Sequence, residues 1–306
     1  MSISTNSPRV GVVVLNWRRP DDTIACLASL REQDYPSCDV IVIDNGSPDG
    51  SPAAIRGRFP DVVLIENDRN LGFAGGSNVG IRHAVDHGAD YVLLLNDDTV
   101  VAPDMLRTLV SIAESDPRIG IVGPKIFYYE PPDVVWSAGG TVDGLGRARH
   151  IGVDRRGDGT PDAARDVDYV TGCALLVKRG VVDRIGMLDE RFFAYFEETE
   201  WCARARRAGF RVVCVPGARM WHKIEPTARG HSRAYLYLMS RNRLLYLGCC
   251  GARPWIVVSA ILDLLRTAAS WYLRPRHREM RPFSSSLVRG VGDFMVGRFG
   301  APPARP

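Results

Sequence analysis

An apolar run, Leu93-Leu94-Leu95, ends in Asn96 and then in two adjacent carboxylates, Asp97 and Asp98. A buried parallel strand is close to continuously apolar, and open α/β sheets bind ligands outside the carboxyl ends of such strands. Hard carboxylate oxygens placed there suit Mg2+ or Mn2+ holding a diphosphate, although Asn and Asp also make ordinary strand-end turns. Two more apolar runs end in polar side chains: Asn16-Trp17 after residues 10–15, and Asp44-Asn45-Gly46-Ser47 after residues 40–43. A carboxylate at such an end can accept the imide N–H of uracil or thymine, a donor that adenine lacks, or it can cap an Asx-turn.

The segment Asn70-Leu71-Gly72-Phe73-Ala74-Gly75-Gly76-Ser77-Asn78 is a Gly-rich link into a helix. Glycine permits close backbone approach, and free N–H groups at a helix start favour phosphate or ribose oxygens. The link follows neither the P-loop pattern nor G-x-G-x-x-G, which removes the main support for an ATPase or a Rossmann dehydrogenase. Farther on, Phe192-Phe193-Ala194-Tyr195-Phe196 leads into Glu197-Glu198-Thr199-Glu200, three carboxylates in the first turn of a helix. They complement the helix dipole, and burial behind the aromatic run would raise one pKa toward that of a general base. His222, in Met220-Trp221-His222-Lys223, can complete a metal shell with a distant Asp.

The elements that must position these groups alternate in period. Apolar runs at 10–15, 40–43, 62–65 and 91–95 read as strands, and 21–33, 76–87 and 104–114 as helices, which argues for a parallel sheet with covering helices. Residues 145–166, rich in Gly, Asp and Arg, read as a long mobile loop able to cover a site. Order returns with a strand at 169–177, helices at 180–185 and 197–208, and a strand at 211–215 stopped by Pro216. Three helices follow, at 234–247, 255–273 and 286–296.

The 306 residues are 45% apolar and 24% charged, an ordinary globular composition, and the seven cysteines form no C-x-x-C pair. Buried, reduced thiols are therefore expected rather than a disulfide framework or a zinc site. No signal-peptide pattern opens the chain, so a cytoplasmic location is expected. The net charge of +4 conceals a split: residues 231–306 hold 12 Arg against 3 acidic residues, and the preceding 230 residues carry −5. A basic tail implies an anionic surface as partner, and the absence of an aromatic-basic platform argues against nucleic acid. Within 255–273, Ser259, Asp263, Arg266 and Ser270 share one stripe of an otherwise apolar helix. Asp263 and Arg266 would each cost about 2.5–3.5 kcal/mol at mid-membrane, so an interfacial helix flanked by Trp255, Trp271, Tyr272 and the arginines from 274 to 281 is expected, or else a packed helical hairpin.

Taken in order, Val12-Val13-Val14-Leu15-Asn16, Ile43-Asp44-Asn45-Gly46-Ser47, Asn70-Leu71-Gly72-Phe73-Ala74, Asn96-Asp97-Asp98 and Phe193-Ala194-Tyr195-Phe196-Glu197-Glu198-Thr199-Glu200 resemble glycosyltransferase family 2, in particular its bacterial rhamnosyltransferase-like members. The resemblance covers about residues 9 to 225. It implies a GT-A (Rossmann-like) fold with a mixed, mostly parallel sheet flanked by helices over residues 1–230, with a basic helical appendage at 231–306. It also implies an inverting transferase with a divalent ion, Mg2+ or Mn2+. On this resemblance Asp44 reads the donor base, with Asn16, Asn45, Asn70, Gly72, Phe73, Asn78, Asn96 and Asp97 on the donor side. Asp98 and His222 hold the metal, and Glu198 is the catalytic base, a Glu where the family commonly has Asp. Thr171, Gly172, Glu197 and Glu200 face the acceptor. Asn96 replaces an Asp often found at the start of the metal motif. The implied donor is dTDP-rhamnose, with UDP-sugars open, and the acceptor a saccharide or a polyprenyl-linked saccharide of cell-surface polysaccharide. An anionic membrane surface and a second copy of the chain are further expected partners. A sugar-phosphate nucleotidyltransferase would need a Gly-, Arg- and Lys-bearing loop straight after the first strand, where this chain has Asn16-Trp17-Arg18-Arg19. A non-catalytic nucleotide-sugar-binding module is the other alternative.

Overall fold

The computed structural model describes residues 7–157, 163–224 and 232–303. The first hundred residues run β1 (Val10–Asn16), α1 (Pro20–Arg31), β2 (Cys38–Asp44), α2 (Ser51–Arg58), β3 (Val63–Glu66), α3 (Gly72–Asp86), β4 (Tyr91–Asn96) and β5 (Thr99–Val101). Then come α4 (Met105–Ser115), β6 (Ile119–Tyr128), β7 (Val135–Ser137), β8 (Gly140–Val142), β9 (Ala148–His150), β10 (Arg165–Asp166), β11 (Ala174–Lys178), α5 (Arg179–Ile185), α6 (Glu197–Arg207) and β12 (Arg211–His222). Three helices close the described chain: α7 (Arg233–Cys249), α8 (Pro254–Leu273) and α9 (Ser284–Met295).

The main sheet runs β10-β12-β6-β11-β4-β1-β2-β3, with β11 antiparallel to both β4 and β6 inside an otherwise largely parallel order. Alternate residues of each strand feed opposite faces. Val12, Val14, Leu93 and Leu95 pack with Cys26 and Leu27 of α1 and Leu106 of α4, whereas Val13, Ile43 and Leu94 pack with Ile81 of α3 and Trp201 of α6. The result is a sheet covered by helices on both faces, as the alternation of elements implied. Helix α3 lies close on the sheet because a Cβ at Gly80 would stand 2.3 Å from a Val13 methyl.

Register decides what the rim presents. Asn16 pairs with Asp44, Asp44 with Glu66, and Leu15 with Asn96, so β1, β2, β3 and β4 end level. Ala174 pairs with Leu95 in the antiparallel sense, which brings Thr171-Gly172-Cys173 to that same rim. Asn96 N donates to Cys173 O at 3.0 Å and locks the two segments together.

Three expectations need correction, and one helix was not foreseen. Helix α3 starts at Gly72, not at 76, so the Gly-rich link is mostly the helix's own first turns. Helix α2 had no periodic signal because only Ser51 and Ile55 are buried in it. The described part of 145–166 is not a loose lid: β8 pairs with β9, Ala138 N donates to Ile151 O, Ile151 N donates to Gly139 O, and Val135 N donates to Arg155 O, while 158–162 lie outside the described residues. Finally, Pro216 does not stop its strand. The register shifts between Val215 and Arg219, a bulge that lets proline sit in the strand, and β12 runs on until His222 stands opposite Thr99 of β5.

The expected boundary after residue 230 lies outside the described residues. Beyond it, α7, α8 and α9 pack around Leu244, Leu247, Ala260, Leu264 and Val291. The seven cysteines are free, four of them buried, as expected of reduced thiols.

Candidate active site

At the β1–β2 edge, Asn16 is fully buried and uses its whole amide on the protein. Its Nδ2 donates to Asp44 Oδ1 at 2.5 Å and to Ser47 Oγ at 3.3 Å, while its Oδ1 accepts from Thr23 Oγ1 at 2.9 Å. Ser47 N donates to the second Asp44 oxygen at 2.8 Å. Asn16 therefore holds Asp44 and Ser47 in place with its amide already bonded to the protein. Asp44 caps its turn and, with two lone pairs on each oxygen, keeps room to accept one further N–H.

Asn45 and Asn78 are likewise bonded to the protein. Asn45 donates to Asn70 Oδ1 and Gly72 O at 3.1 and 3.0 Å and accepts from Asn67 and Leu71, so it shapes the Asn70 loop from beneath. Asn78 donates to Leu188 O and Glu190 and accepts from Leu188 N, strapping α3 to residues 188–190 away from the rim. Two N–H groups of the α3 start are also spent internally: Gly72 N on Asn70 Oδ1 at 2.7 Å and Ala74 N on Phe193 O at 3.1 Å.

After β4 the chain turns so that Asp97 is buried and Asp98 faces two cationic or polar partners. His222 Nε2 lies 3.0 Å from Asp98 Oδ1, and Arg19 Nη1 donates to Asp98 Oδ2 at 2.6 Å. Burial alone would raise the Asp98 pKa, but the hydrogen bond and charge of His222, with Arg19, pull it down to about 2. Burial, followed by repulsion from Asp98, pushes Asp97 up to about 7. One carboxylate of the pair is thus held ionised while its neighbour is shielded, the usual outcome when two acids meet different surroundings. His222 is 5% exposed, stands nearly perpendicular to Trp136 with ring centroids 4.7 Å apart, and has a buried Nδ1 without a partner.

No cluster of three His, Cys, Asp or Glu side chains suited to a metal occurs among the described residues. The Asp98–His222 pair nevertheless fits a hard divalent ion. Adjacent ligands on an octahedral ion at about 2.1 Å stand about 3 Å apart, and such ions keep several positions for water and phosphate oxygens.

On the other side of the rim, Glu198 opens α6 beside Gly172. A Cβ on Gly172 would lie 2.9 Å from the Phe73 ring and 3.7 Å from Glu198 Cβ, so the missing side chain lets α3, α6 and the β11 loop close on one another. Thr171 Oγ1 accepts from Cys173 N at 3.3 Å and fixes that loop. Glu197 and Glu198 each bury an Oε2 with no hydrogen-bond partner. Burial raises both carboxyl pKa values, and mutual repulsion raises that of Glu197 further. Glu200 falls on the side of the helix opposite Glu198 and is ion-paired with Arg204 at 2.8 Å, with Arg207 at 3.9 Å.

The approach to Glu198 is strained. Phe193, Tyr195 and Phe196 have φ values of 66, 69 and 76°, a region that costs bulky residues about 1–3 kcal/mol each. Helix α7 holds this segment: Asn242 Nδ2 donates to the carbonyls of Phe192, Ala194 and Tyr195 at 2.9, 2.8 and 2.8 Å. Fully buried Arg241 donates to Phe192 O at 3.1 Å and to Gly300 O at 2.8 Å. Arg19, Arg241 and Asn242 were not among the site residues expected from the sequence. The last two carried a signal, because Arg241-Asn242-Arg243 interrupts an otherwise mostly apolar stretch of helix.

Residues 8–243 match the family described as Glycosyltransferase like family 2. The N-acetylglucosaminyl-diphospho-decaprenol L-rhamnosyltransferase of Mycobacterium tuberculosis is 30% identical over 245 residues, covering 71% of this chain and 79% of that protein. The low-salt glycan biosynthesis hexosyltransferase Agl10 of Haloferax volcanii is 29% identical over 238 residues, covering 77% and 74% respectively. In three dimensions the chain is similar to the mannosyltransferase PcManGT of Pyrobaculum calidifontis, solved with GDP-Man and Mn2+. The TM-score is 0.61 at 19% identity, over 96% of this chain and 89% of that one.

Proposed function

Because this chain belongs to glycosyltransferase family 2 and has the GT-A fold, we propose that it is an inverting, metal-assisted enzyme that moves L-rhamnose from dTDP-rhamnose onto a saccharide. The acceptor is a free or polyprenyl-linked saccharide of cell-surface polysaccharide, and the enzyme works in the cytoplasm. Membership of the family sets aside the nucleotidyltransferase reading. The proposal rests on Asp44, the Asp98–His222 pair and the half-buried Glu198 lying at one rim of the sheet.

Asp44, held by Asn16 and Ser47, accepts the N–H of a pyrimidine ring, which thymine and uracil share. The name of the mycobacterial relative supports rhamnose as the sugar. Asp98 and His222 would hold Mg2+ or Mn2+, which when bound would neutralise charge on the departing nucleoside diphosphate. Glu198 Oε2, shut from water and free of partners, takes the proton of the acceptor hydroxyl. The acceptor oxygen bonds to the anomeric carbon from the face opposite the diphosphate, and the carbon–oxygen bond to the diphosphate breaks with its electron pair. A single displacement inverts the anomeric centre. Arg19, beside Asp98, supplies fixed positive charge where the diphosphate leaves.

Mass-resolved transfer with a panel of activated sugars, with and without EDTA, tests this reading. Product from dTDP-rhamnose that disappears on chelation is expected. Turnover of UDP-galactose but not dTDP-rhamnose overturns the donor, and silence across the panel favours a binding module.

A further inference from the structure

Helix α8 is inside out for a helix bathed in water. Its one acidic residue, Asp263, points inward, accepting from Arg243 Nη1 at 2.9 Å and pairing with Arg147 of the β8–β9 turn. Its outward face carries Trp255, Val258, Leu262, Leu265, Tyr272 and Leu273, which are between 37% and 75% exposed. From Trp255 to Tyr272 these positions follow spacings of three, four, three and seven, so they form one continuous stripe instead of scattered apolar residues. A water-facing helix turns its one apolar stripe to the core and its charges out; here Ala260, Leu264 and Ala268 face the core, the acidic charge is anchored within, and a second apolar stripe is left uncovered.

The rim of the stripe is cationic. Arg253, Arg266, Arg274, Arg276, Arg278 and Arg281 are all exposed, and Glu279 is the one exposed acidic residue between Arg253 and Arg289. We infer that the outward face of α8, with this arginine rim, docks the enzyme flat on an anionic phospholipid bilayer. Tyr272, Trp255 and the leucines enter the headgroup boundary while the guanidinium groups engage lipid phosphates. A second copy is the poorer occupant, because pairing the face with itself would set the arginine rims against each other. Spanning is also disfavoured, although the helix is long and apolar enough by composition, because crossing would pull Asp263 from Arg147 and Arg243. The inference concerns adsorption and stands apart from the chemistry proposed for the rim.

The test is cosedimentation of the full-length protein with phosphatidylcholine vesicles and with phosphatidylcholine–phosphatidylglycerol vesicles. Binding to the mixed vesicles only, released by salt, is expected. Leu262→Glu should weaken it by at least about tenfold, and each of Arg274→Ala and Arg276→Ala by roughly fivefold. Transfer to a water-soluble acceptor should be unchanged in all three variants, since none lies near the rim; this readout separates loss of docking from loss of fold. Equal binding to both vesicle types, or retention by Leu262→Glu, overturns the inference. A dimer in solution that Leu262→Glu dissolves, with no vesicle binding, assigns the face to a second copy instead. Protein that stays with the bilayer through high salt and alkaline extraction would make α8 a spanning helix and overturn it equally.

Discussion

Replacing Asn242 with Ala should slow transfer without weakening donor binding. Asn242 is fully buried, and its amide holds three carbonyls of the segment that delivers Glu198. A buried acceptor that loses its donor costs about 1–3 kcal/mol, and the three left-handed residues store strain of similar size each. Without Asn242 the segment stays pinned at Phe192 by Arg241 and at Phe193 by Ala74 N but is released at Ala194 and Tyr195, just before Glu197. A shift of about 1 Å in a catalytic group is worth on the order of 10²-fold in rate. The expected result is therefore a kcat about 10²-fold lower with donor affinity, measured by titration calorimetry, unchanged, because Asp44 and Asp98 are set by β2 and β4. Leu244→Ala, on the same helix, is the control: it should cost about 2–5 kcal/mol of stability through its cavity and leave kcat intact in the folded fraction. An Asn242→Ala enzyme with normal kcat, or one whose loss merely tracks the stability loss seen for Leu244→Ala, would refute the reasoning.

Four further outcomes are expected. In His222→Ala, stimulation by Mn2+ should vanish and metal affinity, read by titration of the ion alone, should fall, since one of two protein ligands is gone. Gly172→Ala should lower kcat, because its Cβ meets the Phe73 ring at 2.9 Å and forces α3 or α6 outward; a rate equal to wild type would show slack in the cleft. The acid limb of kcat/KM should lie above the ordinary glutamate range, because Glu198 must be ionised and burial raises its pKa. Glu197→Gln should leave that limb nearly in place, because burial and repulsion from Glu198 push Glu197 up furthest and keep it protonated while Glu198 ionises. In chelator, Asp97 should also tilt stability: with its pKa raised from 3.8 to about 7, its contribution is complete at acid pH and lost as pH rises through about 7. Asp97→Asn should flatten that slope in thermal melts.

The strands and helices of the sheet were legible because each apolar run had a clear period and a Gly, Pro or Asn stop. Residues 10–15, 40–43 and 91–95 proved strands to within a residue or so at either end. What misled was local punctuation read without partners. Pro216 looked like a stop, but a bulge absorbed it, and the extension is what carries His222 to Asp98. Glycines 72, 75 and 76 looked like a loop although their neighbours made them the start of α3. At the site, residue types pointed to the rim but could not say which polar atoms were already spent. Asn16, Asn45 and Asn78 are donors and acceptors for the protein itself, and Glu200 belongs to Arg204. Arg241 and Asn242 act on carbonyls some fifty residues away, a relation that no local pattern encodes.

The most direct test of the account is Glu198→Gln, assayed for sugar transfer and for donor binding on the same preparation. The account requires transfer to fall by about 10²–10⁴-fold while donor affinity and thermal stability hold. A variant that transfers sugar at the wild-type rate would remove Glu198 as the base and contradict the mechanism.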